Sequence, residues 1–133
     1  TLVTLGGETV EFESTLKPVT LVHFWATWCP PCITETPSIR RLATSLADEP
    51  RFSLLMVAVA DDAEAAVEFL GDGTPTFFDP DWDVAHAFGT EKLPETFLMV
   101  DGEVAERFLG AQNWDDPALH QRVADALADV GSS

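Results

Sequence analysis

The stretch that decides the fold reads Trp25-Ala26-Thr27-Trp28-Cys29-Pro30-Pro31-Cys32. Just before the cysteines, residues 19–26 are largely apolar on both alternating sets of positions, as in a central strand covered on both faces. After them, apolar residues recur at helical spacing over residues 31–46, which predicts a helix there. A buried strand is therefore expected to deliver two cysteines to the first turn of a helix.

Outward from this unit, strand and helix patterns alternate along the chain. Gly6-Gly7 supplies the positive φ values of a two-residue turn, so residues 2–5 and 8–12 are predicted to form an N-terminal β-hairpin. The other predicted elements are a strand at 52–60, a helix at 63–70 closed by Gly71, an extended piece at 76–78, a short helix at 82–88, two strands at 95–100 and 104–109 that turn at Asp101-Gly102, and a terminal helix that begins at Asp115-Asp116-Pro117. This order predicts one domain over residues 1–133, an α/β fold with a three-layer α/β/α sandwich, a central mixed sheet and an N-terminal β-hairpin.

The chain is strongly acidic, with 23 Asp and Glu against 7 Lys and Arg and a formal net charge of -16. Such a field repels phosphate backbones and anionic lipid headgroups, which argues against binding to nucleic acid or a membrane surface. The acidity either attracts basic partner segments or only maintains solubility, and it names no partner. No apolar run reaches the ~18 residues of a membrane helix, and residues 1–4 lack the features of a secretory signal.

Cys29 and Cys32 are the only cysteines, and their place at the mouth of a helix points to thiol chemistry. Three-residue spacing on a helical turn brings the Cα atoms within the ~4.4–6.8 Å that a disulfide requires. The positive end of the helix dipole and its unpaired N–H groups stabilise a thiolate and lower the thiol pKa. We expect Cys29, at the outer end, to be the nucleophile, and Cys32 to resolve the mixed disulfide.

A structural disulfide or half of a metal site is the alternative interpretation of this pair. Zinc prefers four ligands, and the histidines His23, His86 and His120 supply no second ligand pair at a zinc-finger spacing. We therefore predict no metal, and no cofactor beyond the redox-active Cys29–Cys32 disulfide itself.

Two blocks of sequence carry a family resemblance. The run Val22-His23-Phe24-Trp25-Ala26-Thr27-Trp28-Cys29-Pro30-Pro31-Cys32, followed by Glu35-Thr36-Pro37, resembles the thioredoxin superfamily and specifically its TlpA/ResA/CcmG-like extracytoplasmic branch. A second block, Leu93-Pro94-Glu95-Thr96-Phe97-Leu98, resembles the cis-proline segment of that family. With the additional segment at residues 63–78, the resemblance covers about residues 3–129 and implies a thioredoxin-like fold for the single domain.

The resemblance also implies a function. It is that of a thiol-disulfide oxidoreductase that reduces disulfides in exported proteins, often in the service of cytochrome c maturation. The implied location is extracytoplasmic, in the bacterial periplasm or on the outer face of the membrane, with a tether upstream of Thr1. The implied partners are protein disulfide substrates and an upstream thiol that supplies electrons, and we expect a monomer.

Several residue roles are carried over from the family. Pro37 matches its helix kink and Pro94 its cis-proline, so the backbone of Leu93 is expected to face the cysteines and pair with an extended substrate segment. The expected substrate-binding residues are Trp28, Pro30, Pro31, Leu93 and Pro94.

Two further residues are candidates for moving a proton. Glu35 follows Cys32 by three residues and therefore lies on the same helical face, where a carboxylate accepts a thiol proton or is simply a solvated side chain. His23 stands at a buried strand position where thioredoxin has an acid, which departs from the family pattern. A neutral His23 either relays the proton of Cys32 or is a satisfied core histidine.

The dipeptide between the cysteines bears on the direction of electron flow. Neither Pro30 nor Pro31 has an N–H to donate to the sulfur of Cys29, and weaker thiolate stabilisation favours a reductase over an oxidase. Two other functions remain open from the sequence. One is a cytosolic general thioredoxin, and the other is a thioredoxin-fold copper-binding or chaperone module without turnover, although copper chaperones of this fold resemble a Cys-x-x-x-Cys pattern.

Overall fold

The computed structural model describes residues 1–71 and 76–130. In this part of the chain the strands are β1 (Leu2–Val3), β2 (Thr9–Val10), β3 (Val19–Trp25), β4 (Phe52–Val59), β5 (Thr76–Asp79), β6 (Glu95–Val100) and β7 (Glu103–Leu109). The helices are α1 (Pro30–Ser45), α2 (Ala63–Leu70), α3 (Asp83–Ala87) and α4 (Pro117–Val130), with a short 3₁₀ helix at Phe12–Thr15. Each element that the sequence predicted is present within two residues of its predicted ends, except in the N-terminal hairpin.

One mixed sheet forms the middle layer, in the order β2-β1-β5-β4-β3-β6-β7. β3 lies between β4, to which it is parallel, and β6, to which it is antiparallel. All of its residues are buried, as the two-sided apolar pattern predicted. The carboxyl end of β3, which carries the cysteine loop, is thereby fixed by neighbours on both sides.

Helices cover both faces of the sheet. On one face, Ile39 of α1 and Val123 of α4 pack against Leu21 of β3. On the other face, Val84 of α3 and Phe12 of the 3₁₀ helix pack in the same cluster as strand residues such as Phe24 and Val57. The predicted three-layer α/β/α sandwich with a mixed sheet is confirmed.

The N-terminal hairpin is shorter than predicted. Its strands pair only Leu2 with Val10 and Val3 with Thr9. The connection is a wider loop in which Thr4 N–H donates to the Glu8 carbonyl at 2.7 Å, and only Gly7 of the two glycines has a positive φ. The predicted two-residue turn is wrong, because a type with positive φ at both glycines is not formed and the chain closes between Thr4 and Glu8 instead. The second strand also ends before its predicted end, ahead of the 3₁₀ helix in which Phe12 is buried.

The local sequence signals for the turn after β6 and for the start of α4 predicted the structure correctly. Asp101 and Gly102 both have positive φ values, 51° and 82°, as a tight turn between β6 and β7 requires. Asp116 caps α4 by accepting a hydrogen bond from the Ala118 N–H at 2.9 Å. Pro37 lies inside α1 as predicted, and a kink there stays a prediction.

Candidate active site

The cysteine pair caps the N-terminus of α1. Because β3 ends at Trp25 and α1 begins at Pro30, Cys29 occupies the capping position. The two sulfurs form a disulfide, and the Cα atoms are 5.3 Å apart, which confirms the predicted spacing. Cys29 keeps 5% of its surface exposed and Cys32 none, so Cys29 is the outer cysteine, although most of it is covered. Its role as nucleophile stays a prediction.

The Cys29 sulfur accepts a backbone hydrogen bond that was not predicted from the sequence. Pro30 and Pro31 indeed have no N–H, but the next residue, Cys32, donates its backbone N–H to the Cys29 Sγ at 3.3 Å. This is the capping contact that a helix N-terminus makes to the side chain three residues before it. The prolines therefore reduce the stabilisation of a Cys29 thiolate without removing it.

Asp61 anchors the cysteine loop to the neighbouring strand. Its carboxylate accepts hydrogen bonds of 2.7 Å from both the backbone N–H and the hydroxyl of Thr27. Next to it, the carbonyl of Ala60 accepts a hydrogen bond of 3.1 Å from the Trp28 indole, whose side chain is 53% exposed. Sequence reasoning missed Asp61. The available signal was that residues just beyond the ends of two parallel neighbours, here β3 and β4, meet at one edge of the sheet.

The peptide bond between Leu93 and Pro94 is cis, as the resemblance implied. β6 begins at Glu95, which is paired with Phe24 near the end of β3, so the cis bond lies at the edge of the sheet from which the cysteine loop leaves. Leu93 packs against the cluster of buried residues that includes both cysteines. Its contact with a substrate stays a prediction.

An ion pair between an exposed arginine and a buried glutamate supports this segment. The guanidinium of Arg107 on β7 pairs with Glu95, which is 1% exposed, and also donates to the carbonyl of Gly89 at 3.0 Å. The same group lies 5.5 Å from the centre of the Phe97 ring. Arg107 thus ties β6, β7 and the loop after α3 together, which holds the chain on either side of Pro94.

Glu35 and His23 form a buried pair beneath the disulfide. Glu35 lies one helical turn after Cys32 on α1, and His23 lies two residues before Trp25, on the same face of β3. The His23 Nε2 and Glu35 Oε1 atoms are 3.7 Å apart, and neither has a hydrogen-bond partner among the described residues. The other ring nitrogen of His23 shares a hydrogen bond of 2.8 Å with the hydroxyl of Thr96.

Burial shifts the pKa of both groups toward their neutral forms. It lowers the pKa of His23 to about 3, so the imidazole is neutral at neutral pH. Burial also raises the pKa of Glu35, against the opposing effect of hydrogen bonds to its Oε2 from the Gln112 backbone at 3.0 Å and the Trp114 indole at 2.6 Å. The solvated interpretation of Glu35 is wrong, because this side chain is 2% exposed.

Trp114 and Gln112 are site residues that sequence reasoning missed. Trp114 is fully buried, and its backbone N–H donates to the Ser38 hydroxyl at 3.0 Å. A buried tryptophan needs a partner for its indole N–H, which was a usable signal. The partner could not be named from the sequence, because Glu35 is 79 residues away along the chain.

The described residues contain no group of three His, Cys, Asp or Glu side chains that could hold a metal ion. Within the same residues, no helix is long and apolar enough to cross a membrane.

A central mixed sheet between helical layers, with a Cys-x-x-Cys disulfide at a helix N-terminus and a cis-proline in the segment that packs against it, defines a protein of the thioredoxin-fold class. The family model described as Redoxin matches residues 1–127. This chain belongs to the Redoxin family.

Individual relatives agree with the resemblance drawn from the motifs. The chain is 38% identical over 114 residues to the thiol:disulfide interchange protein DsbE homolog of Paracoccus denitrificans, covering 80% of this chain and 60% of that protein. It is 28% identical over 114 residues to the thiol-disulfide oxidoreductase ResA of Bacillus anthracis, covering 81% of this chain and 64% of the relative. The chain thus spans less than two thirds of the length of these relatives.

A solved structure with a similar fold is that of a protein assigned as thiol:disulfide interchange protein DsbE from Chlorobium tepidum. The TM-score is 0.80 at 26% identity, covering 95% of this chain and 91% of that one. The likeness extends over nearly the whole of both chains, which confirms the thioredoxin-like fold class.

Proposed function

We propose that this chain is a protein-disulfide reductase that works through Cys29 and Cys32. The observation that carries the proposal is a disulfide at the N-terminus of α1 that follows the exposed Trp28 and belongs to the buried cluster against which Leu93 of the cis Leu93–Pro94 bond packs. A helix N-terminus favours the thiolate that exchange chemistry requires. The names of the relatives, which describe thiol-disulfide interchange, support the same conclusion.

The reaction begins from the reduced pair. The Cys29 thiolate attacks one sulfur of a substrate disulfide, which forms a mixed disulfide and releases the first substrate thiolate. The Cys32 thiolate then attacks the Cys29 sulfur, which releases the second substrate thiolate and leaves the Cys29–Cys32 disulfide. Two electrons pass to the substrate, and an upstream thiol must return them before the next cycle.

The buried pair Glu35 and His23 handles the proton that Cys32 loses. Glu35 lies one turn below Cys32, and its free oxygen faces the free nitrogen of His23. When Cys32 becomes a thiolate, its proton passes to an ionised Glu35, and burial favours this step because it raises the pKa of Glu35 and the carboxyl group becomes neutral. His23 stays neutral because burial lowers its pKa to about 3, so uptake of the proton by Glu35 leaves no charge on the pair.

Substrate contacts are proposed for the residues around the disulfide. Trp28, Pro30 and Pro31 are exposed beside Cys29, where an incoming protein chain would meet them. The Leu93 backbone precedes β6, at the end of the sheet where the cysteine loop leaves β3, and is proposed to offer polar groups to an extended substrate segment in the manner of strand addition. This arrangement would align a substrate disulfide with the outer sulfur.

The substrates are proposed to be exported proteins, including those of cytochrome c maturation, and the location extracytoplasmic. The resemblance to the TlpA/ResA/CcmG-like branch and the DsbE and ResA names of the relatives support this. A membrane tether upstream of Thr1 and an upstream thiol that donates electrons belong to the same proposal.

A general thioredoxin is the second candidate. The observation in its favour is a thioredoxin of Mycobacterium bovis, 30% identical over 128 residues and covering 96% of this chain and 90% of the relative. A broad substrate range would favour it, whereas activity confined to a few exported proteins would favour the first candidate.

Reduction of insulin in the presence of dithiothreitol tests the proposal. We expect turnover by the wild-type protein, none by Cys29→Ser, and at most a stalled single event by Cys32→Ser. Thr34→Ser, on the exposed side of α1, is a matched control for a conservative change near the pair. Stoichiometric copper in the purified protein together with no insulin reduction would contradict the proposal and favour the copper-binding module.

A further inference from the structure

An exposed aromatic surface adjoins the redox pair on the side of α3. We call it the aromatic ledge and define it as Trp28, Trp82 and His86. The ring centres of Trp28 and Trp82 are 6.4 Å apart, and the imidazole of His86 stacks on Trp82 at 5.5 Å with 26° between the planes. Trp28 is 53% exposed, His86 is exposed, and Trp82 between them is half-buried against the core, so the ledge presents part of its ring surface to solvent next to Cys29 in the chain.

The backbone holds the ledge in place at some conformational cost. Trp82 has φ 66° and ψ 12°, a left-handed conformation that a residue with a bulky side chain rarely adopts. Asp79, which is buried, fixes this turn by accepting hydrogen bonds from the N–H groups of Val84 and Ala85. Strained residues that the surrounding structure enforces concentrate at functional sites.

The ledge lies in the most acidic part of the chain. Residues 52–91 contain nine Asp and Glu and no Lys or Arg. Two of the acids, Asp81 and Asp83, flank Trp82 in sequence and are exposed. Asp61 and Asp62 follow Ala60, whose carbonyl binds the Trp28 indole. The hydrogen bonds that Asp61 accepts come from neutral donors of Thr27 and from the backbone N–H of Asp62, so they do not cancel its charge.

Four of the seven basic side chains form ion pairs outside the ledge. These are Arg41, Arg51, Arg107 and Arg122, each of which pairs with an acidic residue. Because residues 52–91 carry no Lys or Arg, carboxylates dominate the charge of the chain around Trp82, and the indole faces carry negative potential of their own.

We propose that the aromatic ledge binds a cationic segment, one that carries Lys or Arg next to the target cysteine, in the protein substrate. The proposal rests on the reductase function above and adds the class of substrate. Tryptophan faces attract guanidinium and ammonium groups, and the carboxylates on both sides of the rings steer such a segment toward Cys29. The acidity of the chain thereby acts in recognition as well as in solubility.

Two disulfide-linked peptides of equal length test the proposal, one with Arg and Lys beside the cysteines and the other with Glu and Gln. The rate constant for their reduction by the fully reduced protein is measured at 20 mM and 500 mM salt. We expect the basic peptide to react at least about fivefold faster at low salt, with most of the preference lost at high salt because exposed charges are then screened.

Variants distinguish the contribution of the aromatic ledge to the peptide preference from that of the protein's net charge. The double variant Asp81→Asn/Asp83→Asn should lose at least half of the preference for the basic peptide. Trp82→Ala should also lose at least half of this preference. The control is Asp125→Asn/Asp129→Asn on α4, which packs on the opposite face of the sheet and should keep the preference. Reduction of the neutral hydroxyethyl disulfide reports the reactivity of Cys29 in each variant and normalises the rates, and circular dichroism checks folding.

Equal rates for the two peptides would contradict the proposal that the aromatic ledge binds a cationic segment, without contradicting the reductase function. A preference that survives in Asp81→Asn/Asp83→Asn, or that is lost equally in the α4 control, would also contradict that proposal. Failure to reduce either peptide or hydroxyethyl disulfide would instead count against the reductase function itself.

Discussion

At the scale of single residues, two opposing influences act on the Cys29 sulfur. The N-terminus of α1 and the Cys32 N–H stabilise its thiolate. Pro30 and Pro31 withhold the two donors that other residues would supply there. Because strong oxidants owe their potential to a stabilised thiolate, the missing donors favour a pair that gives electrons away.

Limited alkylation of the reduced protein should modify Cys29 before Cys32. Cys29 retains accessible surface and lies at the helix N-terminus, whereas Cys32 is fully covered. Iodoacetamide below one equivalent, followed by fragmentation of the singly labelled peptide in a mass spectrometer, identifies the modified sulfur. Faster labelling of Cys32 would reverse the two roles.

His23→Asn should flatten the loss of stability in acid. The folded state holds His23 neutral down to a pKa of about 3, whereas the unfolded chain takes up the proton near 6.5. The unfolded state therefore binds more protons between these values, so the free energy of unfolding falls as the pH is lowered through this window, in total by a few kcal/mol. Urea unfolding at pH 7, 5.5 and 4 measures the slope, with His120→Asn as control. The same acid slope in wild type and His23→Asn would contradict the assignment.

Trp114→Phe should raise the pKa of Glu35 further. The change keeps an aromatic ring in the core but removes the N–H that donates to Glu35 Oε2, and hydrogen bonds to a carboxylate favour its charged form. The folded state already binds the Glu35 proton more tightly than the unfolded chain, so this residue's contribution to stability is lost as the pH rises above 4.5 through the folded-state pKa. A carboxyl NMR titration of wild type and Trp114→Phe checks the direction. An unchanged midpoint would show that the indole contact is not formed in solution.

At the scale of elements, the unit formed by β3 and α1 could be predicted from the sequence, but the contacts that hold it in place could not. The apolar pattern of β3 and the helical spacing of α1 are local signals, and both elements appear where the sequence placed them. The contact of Asp61 with Thr27 joins residues that are 34 positions apart, so no local sequence pattern predicts it. The second strand of the N-terminal hairpin is shorter than predicted for a similar reason, because residues 12–15 form a 3₁₀ helix that buries Phe12 in the core instead of continuing the strand.

Asp61→Ala should destabilise the protein more than Asp62→Ala does. Asp61 accepts two hydrogen bonds that join the cysteine loop to the loop after β4, and their loss should lower the free energy of unfolding by about 1–3 kcal/mol. Asp62 caps α2 through one longer bond to the Glu64 N–H, worth about 1 kcal/mol. Denaturant unfolding of both variants gives the comparison. Equal destabilisation would mean that the anchor adds nothing beyond a helix cap.

At the scale of the whole molecule, the fold class followed from the order of elements and from the motifs around the cysteines. The buried site did not follow, because Trp114, Gln112 and Thr96 reach Glu35 and His23 from other parts of the chain. Which side chains meet inside the core depends on how α1, α4 and the sheet pack together. Sequence spacing sets only which residues share a face of one element.

The oxidised protein should unfold at a higher temperature than the reduced protein near neutral pH. A thermodynamic cycle links the redox potential of the pair to the difference in stability between its two forms, with ~30 mV equivalent to ~1.4 kcal/mol. The withheld donors at Pro30 and Pro31 leave the reduced form with less thiolate stabilisation. Calorimetry of both forms in matched buffers measures the difference, and a clearly more stable reduced form would recast the protein as a disulfide donor.

Single-turnover reduction tests the central claim most directly. Fully reduced protein is mixed with an equimolar protein disulfide, and the species are quenched in acid and weighed by mass spectrometry. We predict one Cys29–Cys32 disulfide for every two substrate thiols released, and in Cys32→Ala a mixed disulfide through Cys29 that does not resolve. Substrate thiols that appear without oxidation of the pair, or a Cys29→Ala variant that still transfers electrons, would contradict the account.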